Sequence, residues 1–210
     1  MEYRNALRGI KTIHWAELVT LLLTVCSLGM LVLEQLLEEP ERILHPFYLL
    51  VLILSLAALA LELIGIWRAG KDEKLFQTAS IGMIITLALS FAILFIQEGQ
   101  LLRTAIELLC IVPTIYCSVT VIKGIMRIAE KRGYTLLLDR QSFFVRAVVL
   151  LSLGAMGLEF LNALFLRGER YETLHAILHT MILTMELVEV SIFLSCTGQA
   201  EKMLVMQNPE

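Results

Sequence analysis

Charge is what this sequence has least of. Only 18% of its 210 residues are Asp, Glu, Lys or Arg, where a soluble domain averages about 25%. Neither sign dominates: 17 basic residues face 20 acidic ones, for a net charge of −3. That leaves no basic footprint for nucleic acid. Four cysteines and four prolines are too few for a disulfide scaffold or a collagen-like chain. There is no Gly-x-Ser-x-Gly, Walker loop, Cys-x-x-Cys or His-Glu-x-x-His, so the common nucleophile, phosphate, redox and zinc-protease signatures are missing. There is no arginine ladder of a voltage sensor and no carbonyl filter of a potassium channel. Apolar residues are abundant instead. They make up 58% of the chain, with a mean hydropathy of +0.77. This is more than one soluble core can bury, and it predicts an all-α, polytopic membrane protein.

A bilayer core about 30 Å thick takes about 20 apolar residues per helix. Six segments meet that length, at about 13–33, 47–66, 79–96, 101–122, 143–165 and 174–196. They are continuous Leu/Ile/Val/Ala runs, not the alternating segments of a barrel. Arg4, Arg8 and Lys11 precede the first run as they would in a signal peptide, but the run is too long and no small-x-small site follows it. Loops are short, so residues 1–210 are expected to form a single transmembrane bundle. The longest connection, Lys123–Ser142, mixes basic residues with Ile125, Met126 and Ile128. It reads either as an extension of span four lying near the headgroups and broken at Gly133, or as a solvated loop.

Lysine and arginine give the orientation. Thirteen of the 17 fall on one side if the spans alternate, and Arg42, Arg103, Arg167 and Arg170 fall on the other. Both termini are therefore expected in the cytoplasm of a cell-membrane protein. Trp15 and Trp67 then lie at the inner interface, and Phe47, Tyr48 and Tyr171 at the outer one. Glu34, Glu38, Glu39 and Glu41 make an acidic outer lip. Gly9, Gly65, Gly124 and Gly198 are spaced by 56, 59 and 74 residues near the inner ends of spans. They read as a repeat of three consecutive hairpins, or as ordinary glycine exits from helices.

The ionisable residues inside the spans are acids and histidines: Glu17, Glu62, Glu107, Glu159, Glu186 and Glu189, with His175 and His179. An ionisable group in a membrane helix is costly and usually faces the bundle interior. With no Lys or Arg deep in a span, each acid carries a proton, faces water or meets a cation from outside. Glu17 and Glu62 lie one turn from the inner face, where Lys11 and Arg68 are available as partners. In span six, His175, His179, Glu186 and Glu189 share one helical face. His175 and His179 have the i, i+4 spacing of two imidazoles on one metal ion, without the glutamate that a zinc protease needs. Pro113 bends span four. Ser152, Gly154, Ala155 and Gly157 read as helix packing, and Met181 and Met185 as filler.

Three functions fit. The first is a transporter or binding subunit for a cation or cationic small molecule, coupled to protons by competition for the same carboxylates. Its path would be Glu186, Glu189, His179, His175, Glu159 and Glu107. In size and helix count the chain is similar to substrate-binding subunits of vitamin importers, a likeness that no residue motif carries. The second is a non-catalytic scaffold, holding a partner subunit, another copy of itself or anionic lipid. The third is an intramembrane enzyme in which His175, His179 and Glu159 or Glu186 hold a metal that activates water. No cofactor is identifiable.

Overall fold

The computed structural model describes residues 3–37, 40–96, 101–165 and 172–206. Among these the chain is helical, with no strand. Its elements are α1 (Arg4–Leu36), α2 (Pro40–Ala69), α3 (Lys74–Ile93), α4 (Leu101–Lys131), the single turn α5 (Thr135–Leu138), α6 (Gln141–Phe165) and α7 (Glu172–Met206). All except α5 contain a segment long and apolar enough to cross a membrane. Five of the six expected spans lie wholly inside one helix. The third overruns α3, which ends at Ile93 with a turn over 94–96. Tyr171, Glu38, Glu39, Arg167 and Arg170 lie outside the described residues, as do the side chains of Glu41 and Arg42.

The long helices outrun the hydrocarbon. At 1.5 Å per residue, the 33 residues of α1 and 35 of α7 reach about 50 Å. The surplus lies at the ends bearing Arg4, Arg8 and Lys11, and Glu201 and Lys202. The Lys123–Ser142 connection is a helical extension, as one of its two readings expected. α4 runs on to Lys131, and Gly133 takes φ +67. Gly133 N–H donates to Glu130 and Tyr134 N–H to Ala129, at 3.0 and 2.9 Å. That is the glycine-terminated helix end in which a left-handed residue lets the last carbonyls find donors.

Each long helix packs on its neighbours in a closed circuit: α1 on α2, α2 on α3, α3 on α4, α4 on α6, α6 on α7, and α7 back on α1. The main apolar cluster is confined to the basic end. Ile10 and Ile13 of α1, Ile66 of α2, Phe76 of α3, Ile122 and Ile125 of α4, and Met203 and Leu204 of α7 are all fully buried there or nearly so. Toward the far end the buried hydrophobic side chains thin to Leu23, Met30, Leu44, Ala58, Ala155 and Ile182 among the described residues. Outward-facing residues such as Ile53, Ile84, Leu109 and Leu150 are apolar and exposed, which suits contact with lipid.

In lipid the helices gain little from hiding oil from oil, so close packing must hold them. The spaced glycines serve this packing and are not helix exits, since each lies inside a helix. A Cβ on Gly9 would fall 2.5 Å from the Gly65 carbonyl oxygen and 2.6 Å from the Ala69 nitrogen. Gly124 receives the ring of Phe76, and Gly198 receives His14. His14 Nδ1 also meets Thr197 Oγ1 at 3.0 Å, tying α1 to α7.

Polar contacts finish the basic end. Asp72, between α2 and α3, accepts from Ala6 N–H at 2.7 Å and from Asn5 Nδ2 at 3.0 Å. It supplies the α1 N-terminus with a cap from another part of the chain. Glu73, only 4% exposed, pairs with Lys131 at 2.7 Å and Arg127 at 3.6 Å. The Arg132 guanidinium lies 4.9 Å from the centre of the Tyr3 ring.

Gly9→Ala should destabilise the bundle by about 1–3 kcal/mol through overpacking against the α2 backbone. Gly29→Ala, whose new methyl meets nothing within 4 Å, should gain up to about 1 kcal/mol of helix propensity. Thermal unfolding in detergent of the two variants checks the contrast.

Candidate functional site

Above the apolar plug a cavity of about 340 Å³ opens between α1, α4, α6 and α7. Three carboxyl groups line it: Glu159 from α6, and Glu186 and Glu189 from α7. α1 contributes Thr20 and Thr24, α4 contributes Cys110, Ile111 and Thr114, and α6 adds Ser152 and Ala155. No Lys, Arg or His is in this lining.

Helical geometry explains how the residues converge. Glu186, Glu189 and Val190 fall on one face of α7 and point between α6 and α1. The hydroxyls are anchored first to their own helices. Thr20 bonds the Ala16 carbonyl at 3.2 Å, Thr24 that of Thr20 at 3.0 Å, and Thr114 that of Cys110 at 2.9 Å. Thr114 is the residue after Pro113, through which α4 continues unbroken. Pro113 therefore sits beside the cavity, next to α3, where Thr86 meets Thr114 at 3.3 Å. Ser152 bonds the Val148 carbonyl at 3.0 Å and also Glu189 Oε1 at 2.8 Å.

The six expected path residues separate into two groups. Glu159, Glu186 and Glu189 meet in the cavity, and Glu186 lies within electrostatic range of the other two. His175, His179 and Glu107 lie nearer the far mouth. The imidazoles are exposed and stacked with ring centres 6.2 Å apart, and His175 Nδ1 bonds Asn162 Oδ1 at 2.6 Å. Among the described residues no three of His, Cys, Asp and Glu converge as metal ligands, so His175 and His179 stand as a pair without a third. Glu107 differs from expectation. Its carboxylate has a cationic partner in Arg103, 2.9 Å away one turn earlier on α4, and it remains in electrostatic range of Glu159.

Two acids outside the expected path belong with the interior. Glu17 and Glu62 were expected to pair with Lys11 and Arg68, but Lys11 approaches Glu201 at 4.0 Å. Glu17 is 9% exposed and lies within range of Glu62 and Glu189. Thr20 and Thr24, three and seven residues after Glu17, share its face of α1, a sequence signal that marks that face as interior. Ser152 is likewise more than packing, since it binds Glu189. Gly154 and Met185 do pack against each other, and Met181 is exposed. Thr180 and Thr184 bond their own helix backbone. The acids therefore form a succession through the bundle: Glu62 and Glu17 deep, Glu189, Glu186 and Glu159 around the cavity, and Glu107 toward the mouth. Such an arrangement can hold a cation by charge, or pass a proton between carboxyl groups.

No family model, curated protein or solved structure matches the chain.

The four cysteines sample this architecture. Cys110 lines the cavity, Cys117 and Cys196 are buried, and Cys26 is on the exposed surface. In single-cysteine variants reconstituted in vesicles, a charged, membrane-impermeant thiosulfonate should modify Cys110 and spare Cys117 and Cys196. Protection of Cys110 from the reagent would mean that water does not reach the cavity.

Proposed function

We propose that the protein is a multi-pass cell-membrane protein that binds or transports a cation or a cationic small molecule, coupled to protons. The observation that carries this reading is the cavity, with three carboxyl groups and several hydroxyls in its lining and no basic residue. Removing charge from water is costly unless it is compensated, and a cation would supply what the lining lacks. Glu186 and Glu189 are the central acids and Glu159 completes the cavity. Glu107, His175 and His179 form the approach from the far mouth. Coupling follows from competition, because a carboxylate that holds a proton no longer attracts a cation.

The chain is read as one bundle over 1–210, made of three consecutive hairpins with both termini in the cytoplasm. Glycine crossings at the basic end and the excess of Lys and Arg there support this orientation. With the four native cysteines replaced, Lys202→Cys should then resist an external impermeant thiol reagent in sealed right-side-out cells, whereas Thr173→Cys should react. The reverse pattern would invert the topology.

One observation favours the scaffold reading for a single residue. The Ser152–Glu189 bond alone could fix α6 against α7, as interhelical polar bonds do. Glu186 has no such bond among the described residues, so it separates the two readings. In liposomes, tetramethylammonium and alkali cations should bind saturably, and more weakly as pH falls. Glu186→Gln should reduce affinity roughly tenfold or more, the scale of one charged contact. Unchanged behaviour of Glu186→Gln combined with Glu189→Gln would leave the scaffold.

A further inference from the structure

The opposite face of α7 carries a different feature. Leu187, Val188, Ser191, Ile192 and Ser195 recur along the side of α7 turned away from Glu186 and Glu189. With Phe143 and Phe144 of α6 they line a crevice of about 420 Å³, and Arg140 stands at its end. Ser191 spends its hydroxyl on the Leu187 carbonyl at 2.7 Å, and Ser195 accepts from Gln199 Nε2 at 3.2 Å. The walls are thus apolar in effect. From Ser195 to Leu187 the crevice follows about 12 Å of helix, less than one leaflet.

Arg140 is exposed and has no carboxylate partner among the described residues. Its backbone is fixed where α5 turns into α6, with its N–H bonded to the Leu137 carbonyl at 3.2 Å. A guanidinium at the basic end of an apolar slot suits an anionic headgroup followed by an acyl chain. We propose that this crevice is a binding site for an anionic phospholipid, with the phosphate on Arg140 and an acyl chain between α6 and α7. A second depression on the other side of the same corner, lined by Lys123, Arg127, Glu130 and Gln141, contains its own acid and is the weaker match. The lipid site does not depend on the cation reading, because it occupies the other face of α7.

Delipidated protein in detergent, titrated with phosphatidylglycerol or phosphatidylcholine and read by native mass spectrometry, tests the site. Wild type should prefer phosphatidylglycerol by about fivefold, the factor that one arginine gives at an anionic headgroup. Arg140→Gln should lose that preference and still bind phosphatidylcholine. Arg146→Gln, which changes an exposed arginine on α6 outside the crevice, should keep it. Leu187→Trp, filling the slot with Arg140 intact, should lower the binding of both lipids. Glycerol phosphate without chains should not compete. An undiminished preference in Arg140→Gln, equal losses in Arg140→Gln and Arg146→Gln, or crosslinking of Val188→Cys to a second copy of the chain would each overturn the proposal. If Arg140→Gln fails to fold, Leu187→Trp decides: unchanged lipid binding there refutes the site.

Discussion

A carboxyl group cannot be left against hydrocarbon at small cost, and this constraint explains most of the arrangement. Six glutamates lie within the spans, and the bundle turns five of them toward one another and not outward. Among the described residues only Glu107 has a basic partner at hand. The helix faces that carry these residues are fixed by the requirement: Glu17, Thr20 and Thr24 on α1, Ser152 and Glu159 on α6, Glu186 and Glu189 on α7. Once those faces are turned inward, the apolar faces of the same helices are left exposed on the outside of the bundle.

The two ends of the bundle are held by different means. At the basic end, glycine crossings bring backbones together and Asp72 and Glu73 bind helix ends and cations. Packing is dense there and the interior is apolar. At the other end the described residues include fewer buried side chains, and the cavity lies where dense packing stops. α7 connects the two regimes, with acids on its inner face, an apolar crevice on its outer face and a dense contact with α1 near its end. The carboxyl-lined cavity on one face of α7 is thereby separated from the apolar crevice on the other.

The spans were legible because hydrocarbon thickness imposes a length on the sequence that little else does. The shared face of Glu186 and Glu189 was legible from helical periodicity alone. Glu17 and Glu62 were misread because sequence distance to Lys11 and Arg68 said nothing about which helix lies opposite. Glu107 was misread because Arg103, one turn away, was counted with the outer loop although it pairs on the same helix. Ser152 looked like packing because a small hydroxyl residue serves both purposes, and only the approach of α7 gives it a carboxylate. Arg140 had no distinguishing mark in sequence, since the crevice beside it exists only once α6 and α7 are side by side.

The contact of α7 with α1 closes the circuit between residues far apart in the chain. His14 and Thr197 are 183 positions apart, and a ribosome adding about 5–20 residues per second needs on the order of ten to forty seconds to make the second after the first. During that interval α1 has α2 beside it, but the part of its inward surface that will meet α7 has no final neighbour. The nascent chain must shelter that part of an acidic helix face, in the insertion machinery or against helices it will later leave, until α7 is made.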